Sequence, residues 1–249
     1  MRIVLLGAPG SGKGTQAQRL AQEKGMPQIS TGDLLRAAVT ADSALGREAK
    51  AAMDSGRLVA DKIVLGIIAE RLAAADVCEG FVLDGFPRNI EQATALGDML
   101  AKLGQPLDGV VLMEVDEAEL VRRISGRRTC QDCGRVFNVS TTGGGVMQES
   151  CPKADGPHRL FQRPDDNEHT VAERLKIYEE KTKPLVEFYR GQGLLRTIKA
   201  EGSVAEVAAR LDAALGIATR STGARHHRPP AGALSAPRST ARSTPKRSR

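Results

Sequence analysis

Two rhythms of apolar residues alternate along the chain. Short, nearly unbroken apolar runs recur at RIVLL (2–6), GFVLD (80–84), DGVVLMEVD (108–116) and LLRTIKA (194–200). Runs of this length, bounded by Gly and Asp, predict strands buried on both faces. Between them the apolar positions fall three and four residues apart, which predicts helices. These segments are KGTQAQRLAQEKG (13–25), STGDLLRAAVTA (30–41), SALGREAKAAMDSG (43–56), ADKIVLGIIAERLAAA (60–75), NIEQATALGDMLAKLG (89–104), EAELVRRISGRR (117–128) and SVAEVAARLDAALG (203–216). Ser30 or Thr31 suits a helix cap, with Asp33 in the first turn. A longer helix is expected from about 168 to 189, bent or interrupted near Pro184. Strands alternating with helices predict an α/β protein with a parallel sheet covered on both faces.

Two stretches break the rhythm. From Thr129 to about Leu160, glycines, prolines, cysteines and short β-like pieces such as RVFNV predict a small inserted β-subdomain. After Gly216 the chain is rich in Pro, Ser, Thr, Arg and Ala and lacks the large apolar residues needed to offset the entropy of ordering. That tail is expected to be disordered. It also changes the picture of charge. Residues 217–249 carry eight Lys/Arg and no acid, so a net +6 for the whole chain becomes −2 for residues 1–216. The basic character belongs to the tail, and the folded part has no charge signature of a nucleic-acid binder. No apolar run reaches the length of a membrane span. The N-terminal apolar run is too short for a signal-peptide core and reads as a core strand of a cytoplasmic protein.

The first strand runs into GAPGSGKGT (7–15) and then a helix, the context a phosphate-binding loop requires. Glycines let backbone N–H groups of the Gly10, Ser11, Gly12, Lys13, Gly14, Thr15 segment converge on phosphate oxygens. The helix beginning near Gly12 adds its positive end, and Lys13 adds a point charge. The general pattern places Ser or Thr directly after the lysine, whereas here Gly14 intervenes and Thr15 comes one step late. DGFPR (84–88) closes a predicted strand, where ligands of open α/β sheets bind. Asp84 there could hold a water-coordinated Mg²⁺ and Arg88 could project into the cleft. Arg36, Arg88, Arg123, Arg127, Arg163 and Arg174 form a supply of planar cations suited to phosphoryl transfer. Cys78 stands alone and reads as a small buried hydrophobe. Cys130 and Cys133 form C-x-x-C, followed by Cys151, a spacing that suits a structural zinc site.

GAPGSGKGTQA, ISTGDLLR, LDGFPRNIEQA, RISGRR and QRPDDNEHTVAERL together resemble the adenylate kinases, in order and spacing, over roughly residues 1–216. In that family Gly-Lys-Gly-Thr is the normal form of the loop, and Mg²⁺ is held largely by nucleotide oxygens and water. The resemblance implies a P-loop three-layer fold with a parallel five-stranded sheet (residues 1–29, 60–125 and 164–216). It implies an inserted helical AMP-binding part (30–59), a β lid (126–163) and a tail (217–249) outside the family pattern. It implies reversible phosphoryl transfer from MgATP to AMP in a monomer, with ATP, AMP and ADP as partners and no general base. ATP would lie on Gly10–Thr15, Arg123, Arg127 and Gly202. AMP would lie against Thr31, Arg36, Leu58, Val59, Gly85, Arg88, Gln92, Arg163 and Arg174. Lys13, Asp84, Arg88, Arg123, Arg127, Arg163 and Arg174 would serve the transfer. Thr31 and Gln92 point to adenine, since the UMP/CMP-using relative tends to have Ala and Asn there. Long-lid members close their metal knuckle with C-x-x-C or C-x-x-D. Here that slot holds Ala154, leaving Asp155, nearer in position and preferred, or His158 as fourth zinc ligand. A regulatory nucleotide binder without transfer would have no need of the full arginine set, and only the tail speaks for nucleic acid.

Overall fold

The computed structural model describes residues 1–139 and 148–217. The expected disordered tail lies outside them, apart from Ile217. The first strand, β1 (Arg2–Leu6), leads through the glycine loop into α1 (Lys13–Lys24). There follow β2 (Gln28–Ser30), α2 (Thr31–Thr40), α3 (Ala44–Asp54), α4 (Asp61–Leu72), β3 (Phe81–Asp84), α5 (Ile90–Lys102), β4 (Gly109–Glu114) and α6 (Glu117–Ser125). A small antiparallel sheet comes next, with β5 (Arg127–Cys130), β6 (Val136–Asn138) and β7 (Leu160–Phe161) in the order β6-β5-β7. The chain returns through α7 (Glu168–Ile177), a π-helical segment (Tyr178–Thr182), α8 (Leu185–Gly191), β8 (Leu195–Lys199) and α9 (Val204–Leu215).

The five-stranded sheet has the order β2-β3-β1-β4-β8, with every pairing parallel. Period two decides its layers. Ile3 and Leu5 face α1 and α9 with Val82, Val111 and Met113, while Val4 and Leu6 face the opposite helices with Leu83, Val110 and Leu112. All these positions are buried. Each such Leu or Ile contributes on the order of 1.5–3 kcal/mol through removal from water. The result is the three-layer α/β fold of P-loop proteins. Registers Leu5↔Asp84 and Leu6↔Leu112 bring the carboxyl ends of β3, β1 and β4 level with the glycine loop. The order of connections reverses across β1, where parallel sheets open a crevice.

Two expectations need correction, those for the helix after Glu117 and for Cys78, while the interruption expected near Pro184 is present. The helix after Glu117 stops at Ser125, because Gly126 leads Arg127 and Arg128 into the antiparallel β5. The long helix is interrupted at Tyr178–Thr182, ahead of Pro184, by a widened turn whose Lys183 N–H reaches the Tyr178 carbonyl at 2.8 Å. Cys78 is exposed, because it sits on the short turn after α4 and not on the strand beside it. Of the two candidate caps for α2, Ser30 serves, accepting from the Asp33 N–H at 3.3 Å. Among the described residues no helix is long and apolar enough to cross a membrane.

Candidate active site and cysteine–histidine cluster

The glycine loop folds as it does because side chains have no room. A β-carbon at Gly7 would lie 2.7 Å from the Met113 carbonyl oxygen, and one at Gly10 would lie 2.8 Å from Ile124 Cγ1. Gly12, at φ 92°, turns the chain into α1. Lys13 Nζ donates to the Gly7 and Ala8 carbonyls at 2.7 and 2.9 Å, folded back over the loop. Asp84 ends β3 directly across the loop. Its Oδ2 accepts from Gln28 Nε2 at 3.2 Å, and a β-carbon at Gly14 would also stand 3.2 Å from it. Gly14 thus leaves space for Asp84, which accounts for the departure from the general loop pattern. Burial pushes the Asp84 carboxyl up, with Lys13 opposing the shift. Burial pushes the Lys13 ammonium down to about 8, Asp84 opposing and Arg88, Arg174 and Arg127 adding to it.

The arginines converge from separate elements. Arg36, Arg88, Arg123, Arg127, Arg163 and Arg174 line one cleft of about 380 Å³ with the whole Gly10–Thr15 segment, Leu58, Asp84, Gly85 and Gly202. Several of them are aimed by acids. Arg127 grips both oxygens of the fully buried Asp166, with Nε donating to Oδ2 at 2.7 Å. Arg174 donates to Asp165 Oδ2 at 2.8 Å and to Asp166 Oδ1 at 3.3 Å. Asp165 and Asp166 are the supports of this cation pair. Arg123 is held by Glu119 Oε1 at 2.7 Å and the Ala200 carbonyl at 2.8 Å. Arg88 and Arg163 have weaker compensation. Burial first, then neighbouring Arg174 for Arg88 and Arg36 for Arg163, pushes each guanidinium down to about 10. A cleft of mutually repelling, partly desolvated cations is preorganised for polyanions.

Thr31, Val59 and Gln92 stand one layer behind this lining, all buried. Thr31 Oγ1 donates to the Gly85 carbonyl at 2.8 Å. The Gln92 carboxamide is anchored at both ends. Its Oε1 accepts from the Arg88 N–H at 2.8 Å, and its Nε2 donates to Asp61 Oδ1 at 2.6 Å. Asp61 also accepts from Asn89 Nδ2 at 3.1 and 3.0 Å. Thr182 Oγ1 donates to the Arg88 carbonyl at 2.8 Å, tying the π-helical turn to the DGFPR loop. Asp61, Glu119 and Thr182 escaped the sequence reading. Each is an ordinary polar residue on a predicted helix, and only the partner across the fold gives it meaning.

The small sheet carries a second constellation. Ligand atoms of Cys130, Cys133, Cys151 and His158 lie within 4.8 Å of one another. Cys130 and Cys151 Sγ are 3.9 Å apart, close to the roughly 3.8 Å edge of a tetrahedron with Zn–S bonds near 2.3 Å. His158 Nδ1 lies 3.5 Å from Cys133 Sγ, and the ring packs on Phe137 with centroids 4.8 Å apart. The cluster contains His158, the alternative fourth ligand, and not the preferred Asp155. The Cys151 N–H to Gly156 carbonyl bond, 2.8 Å, closes a turn that leaves Asp155 exposed at its tip. The chain then returns and buries His158 beside the thiols. The donor set and its spacing fit a tetrahedral structural metal.

Cations brought from separate parts of the chain line one cleft over the phosphate loop, the arrangement of the P-loop phosphotransferases. Comparison with known proteins narrows the class. A family profile described as adenylate kinase matches residues 5–194. The adenylate kinase of Nitrosococcus oceani is 53% identical over 208 residues, covering 84% of this chain and 95% of its own length. That of Thermodesulfovibrio yellowstonii is 51% identical over 207 residues, covering 83% and 95%. That of Syntrophobacter fumaroxidans is 50% identical over 221 residues, covering 87% and 100%. The chain belongs to the adenylate kinase family, the ATP:AMP phosphotransferases that convert ATP and AMP reversibly to two ADP.

Proposed function

We propose a division of labour for this reaction within the cleft. ATP lies on the Gly10–Thr15 amides, with Arg123, Arg127 and Gly202 around it. AMP lies against Arg36, Leu58, Val59, Gly85 and Arg88, with Thr31 and Gln92 behind its base. An oxygen of the AMP phosphate attacks the γ-phosphorus of ATP in line. One P–O bond forms, the β–γ bridging P–O bond breaks, and ADP departs from the other side. Lys13, Arg88, Arg123, Arg127, Arg163 and Arg174 neutralise the charge that spreads over the migrating group. The attacking phosphate is already an anion, so no general base is required, and alignment supplies much of the rate. Asp84 would hold Mg²⁺ through water, and the ion would supply positive charge for the ATP phosphates. The observation that carries this reading is the convergence of Lys13 and six arginines on one cleft.

Residues 30–59 would fold over the monophosphate, 126–163 over ATP, and the remainder of 1–216 would be the rigid core. Closure would exclude water from the transfer. Cys130, Cys133, Cys151 and His158 would hold zinc with a purely structural role, stiffening a sheet too small for a core of its own. The unbridged thiols suit a reducing compartment, which supports a cytoplasmic enzyme. A monomer accords with a cleft completed by one chain.

The test is a coupled assay of ATP with AMP, UMP, CMP and GMP, with and without Mg²⁺. Mg²⁺-dependent ADP formation strongly favouring AMP is expected. Comparable turnover with CMP would overturn the adenine assignment, and no transfer to any acceptor would overturn the roles given to the cations.

A further inference from the structure

We propose that Asp61 is a positioning residue that fixes the polarity of the Gln92 carboxamide, and thereby makes the acceptor site select adenine over a 6-oxopurine. The inference rests on Gln92 facing the AMP base. A carboxamide has two ends of similar size, and a free glutamine can rotate to offer either one. Gln92 lacks that freedom. It is 1% exposed, and its two anchors have opposite and fixed characters. The Arg88 backbone N–H, 2.8 Å from Oε1, can only donate. The Asp61 carboxylate, 2.6 Å from Nε2, only accepts. Turning the amide over would set N–H against N–H at Arg88 and oxygen against oxygen at Asp61, both away from water.

Asp61 is itself held. Asn89 Nδ2 donates to both of its oxygens at 3.1 and 3.0 Å, while Asn89 Oδ1 accepts from the Gln92 N–H at 2.8 Å. The carboxylate also sits in the first turn of α4, where the helix end favours negative charge. Asp61, Asn89 and Gln92 therefore form a closed set in which each group has one allowed orientation.

The anchors use one of the two hydrogens on Nε2 and one of the two lone pairs on Oε1. One donor and one acceptor remain for a ligand. Adenine presents the complement, an acceptor at N1 and a donor at the 6-amino group. Hypoxanthine and guanine present the reverse, a donor at N1 and an acceptor at O6. A mobile glutamine could satisfy either pattern by rotating, whereas one anchored by Asp61 satisfies only the first.

The experiment compares kcat/KM for AMP and inosine 5′-monophosphate in the wild-type enzyme, Asp61→Asn and Gln92→Leu. The carboxamide introduced by Asp61→Asn could present either oxygen or nitrogen to Gln92. The AMP/IMP ratio is therefore expected to fall roughly 10- to 100-fold, the range of one paired hydrogen-bond readout. The change should lie mainly in the acceptor KM, with the KM for MgATP unmoved. An unchanged ratio in a folded Asp61→Asn enzyme, when Gln92→Leu erases it, would overturn the role of Asp61 alone. An unchanged ratio in Gln92→Leu would overturn the underlying reading of Gln92. Should Asp61→Asn fail to fold, the wild-type enzyme still decides. Purine riboside 5′-monophosphate keeps the N1 acceptor without a 6-substituent and should be used better than IMP. The opposite order would overturn the proposal.

Discussion

Asp84 Oδ2 stands 3.2 Å from the point a β-carbon on Gly14 would occupy. The glycine that departs from the general phosphate-loop pattern is thus fitted to the aspartate across the cleft. Gly14→Ser, which restores the commoner motif, is expected to lower kcat/KM for MgATP roughly 10- to 100-fold, because displacement of the loop or of Asp84 by a fraction of an ångström misaligns the transfer. Steady-state kinetics check this, with a melting curve to show that the fold survives.

Lys13 should leave a mark on the pH profile. Burial, opposed by Asp84 and reinforced by Arg88, Arg174 and Arg127, brings its ammonium down to about 8. Phosphate binding needs the protonated form, so kcat/KM for MgATP should fall as pH rises through about 8 in the free enzyme. Bound phosphates favour the ammonium and should move the corresponding limb of kcat to higher pH. Lys13→Arg should remove the limb from this range. A flat kcat/KM between pH 7 and 10 in the wild-type enzyme would contradict the role given to Lys13.

Asp166 has no solvent exposure and orients both Arg127 and Arg174. Asp166→Asn leaves two cations with a neutral partner. Breaking a buried pair in this way typically costs about 3–5 kcal/mol. Denaturant titration should show a loss of this order, and kcat should fall together with stability because the same arginines serve the transfer. Asp165→Asn, on the less buried neighbour, should cost less on both counts.

The cysteine–histidine cluster separates its candidate ligands by stoichiometry. Atomic emission on protein purified without chelator should find close to one zinc per chain. His158→Ala and Cys151→Ser should lose it, while Asp155→Ala should retain it. Chelation should lower the melting temperature and leave ATP binding to the glycine loop in place. Metal-free protein from such a preparation would count against the site.

Much of this site was legible in the sequence because it is local. The glycine loop, DGFPR and C-x-x-C each put their chemistry within a few residues, so spacing alone carries the message. What spacing left open was which side chains meet across the fold. Asp61 and Gln92 meet only when α4 and α5 pack together, and His158 joins the thiols only when the turn at Gly156 closes. Among the elements, β2 went unread because three residues hold too little alternation to recognise. β5 was absorbed into the preceding helix because its arginines suit either state. Cys78 was expected buried, but it lies on an exposed connector beside the strand.

The widened turn at Tyr178–Thr182 explains why helical spacing misleads beyond it. In an α-helix each added residue rotates the next by ~100°. The extra residue in that turn therefore resets the angular phase of everything after it. It lets one continuous rod show Thr182 to the Arg88 carbonyl and still roll Leu185 and Tyr189 into the core. Chain length here works as an aiming device. Deleting a single residue from this turn would hardly alter composition, yet it would swing the hydrophobic side of α8 away from the sheet.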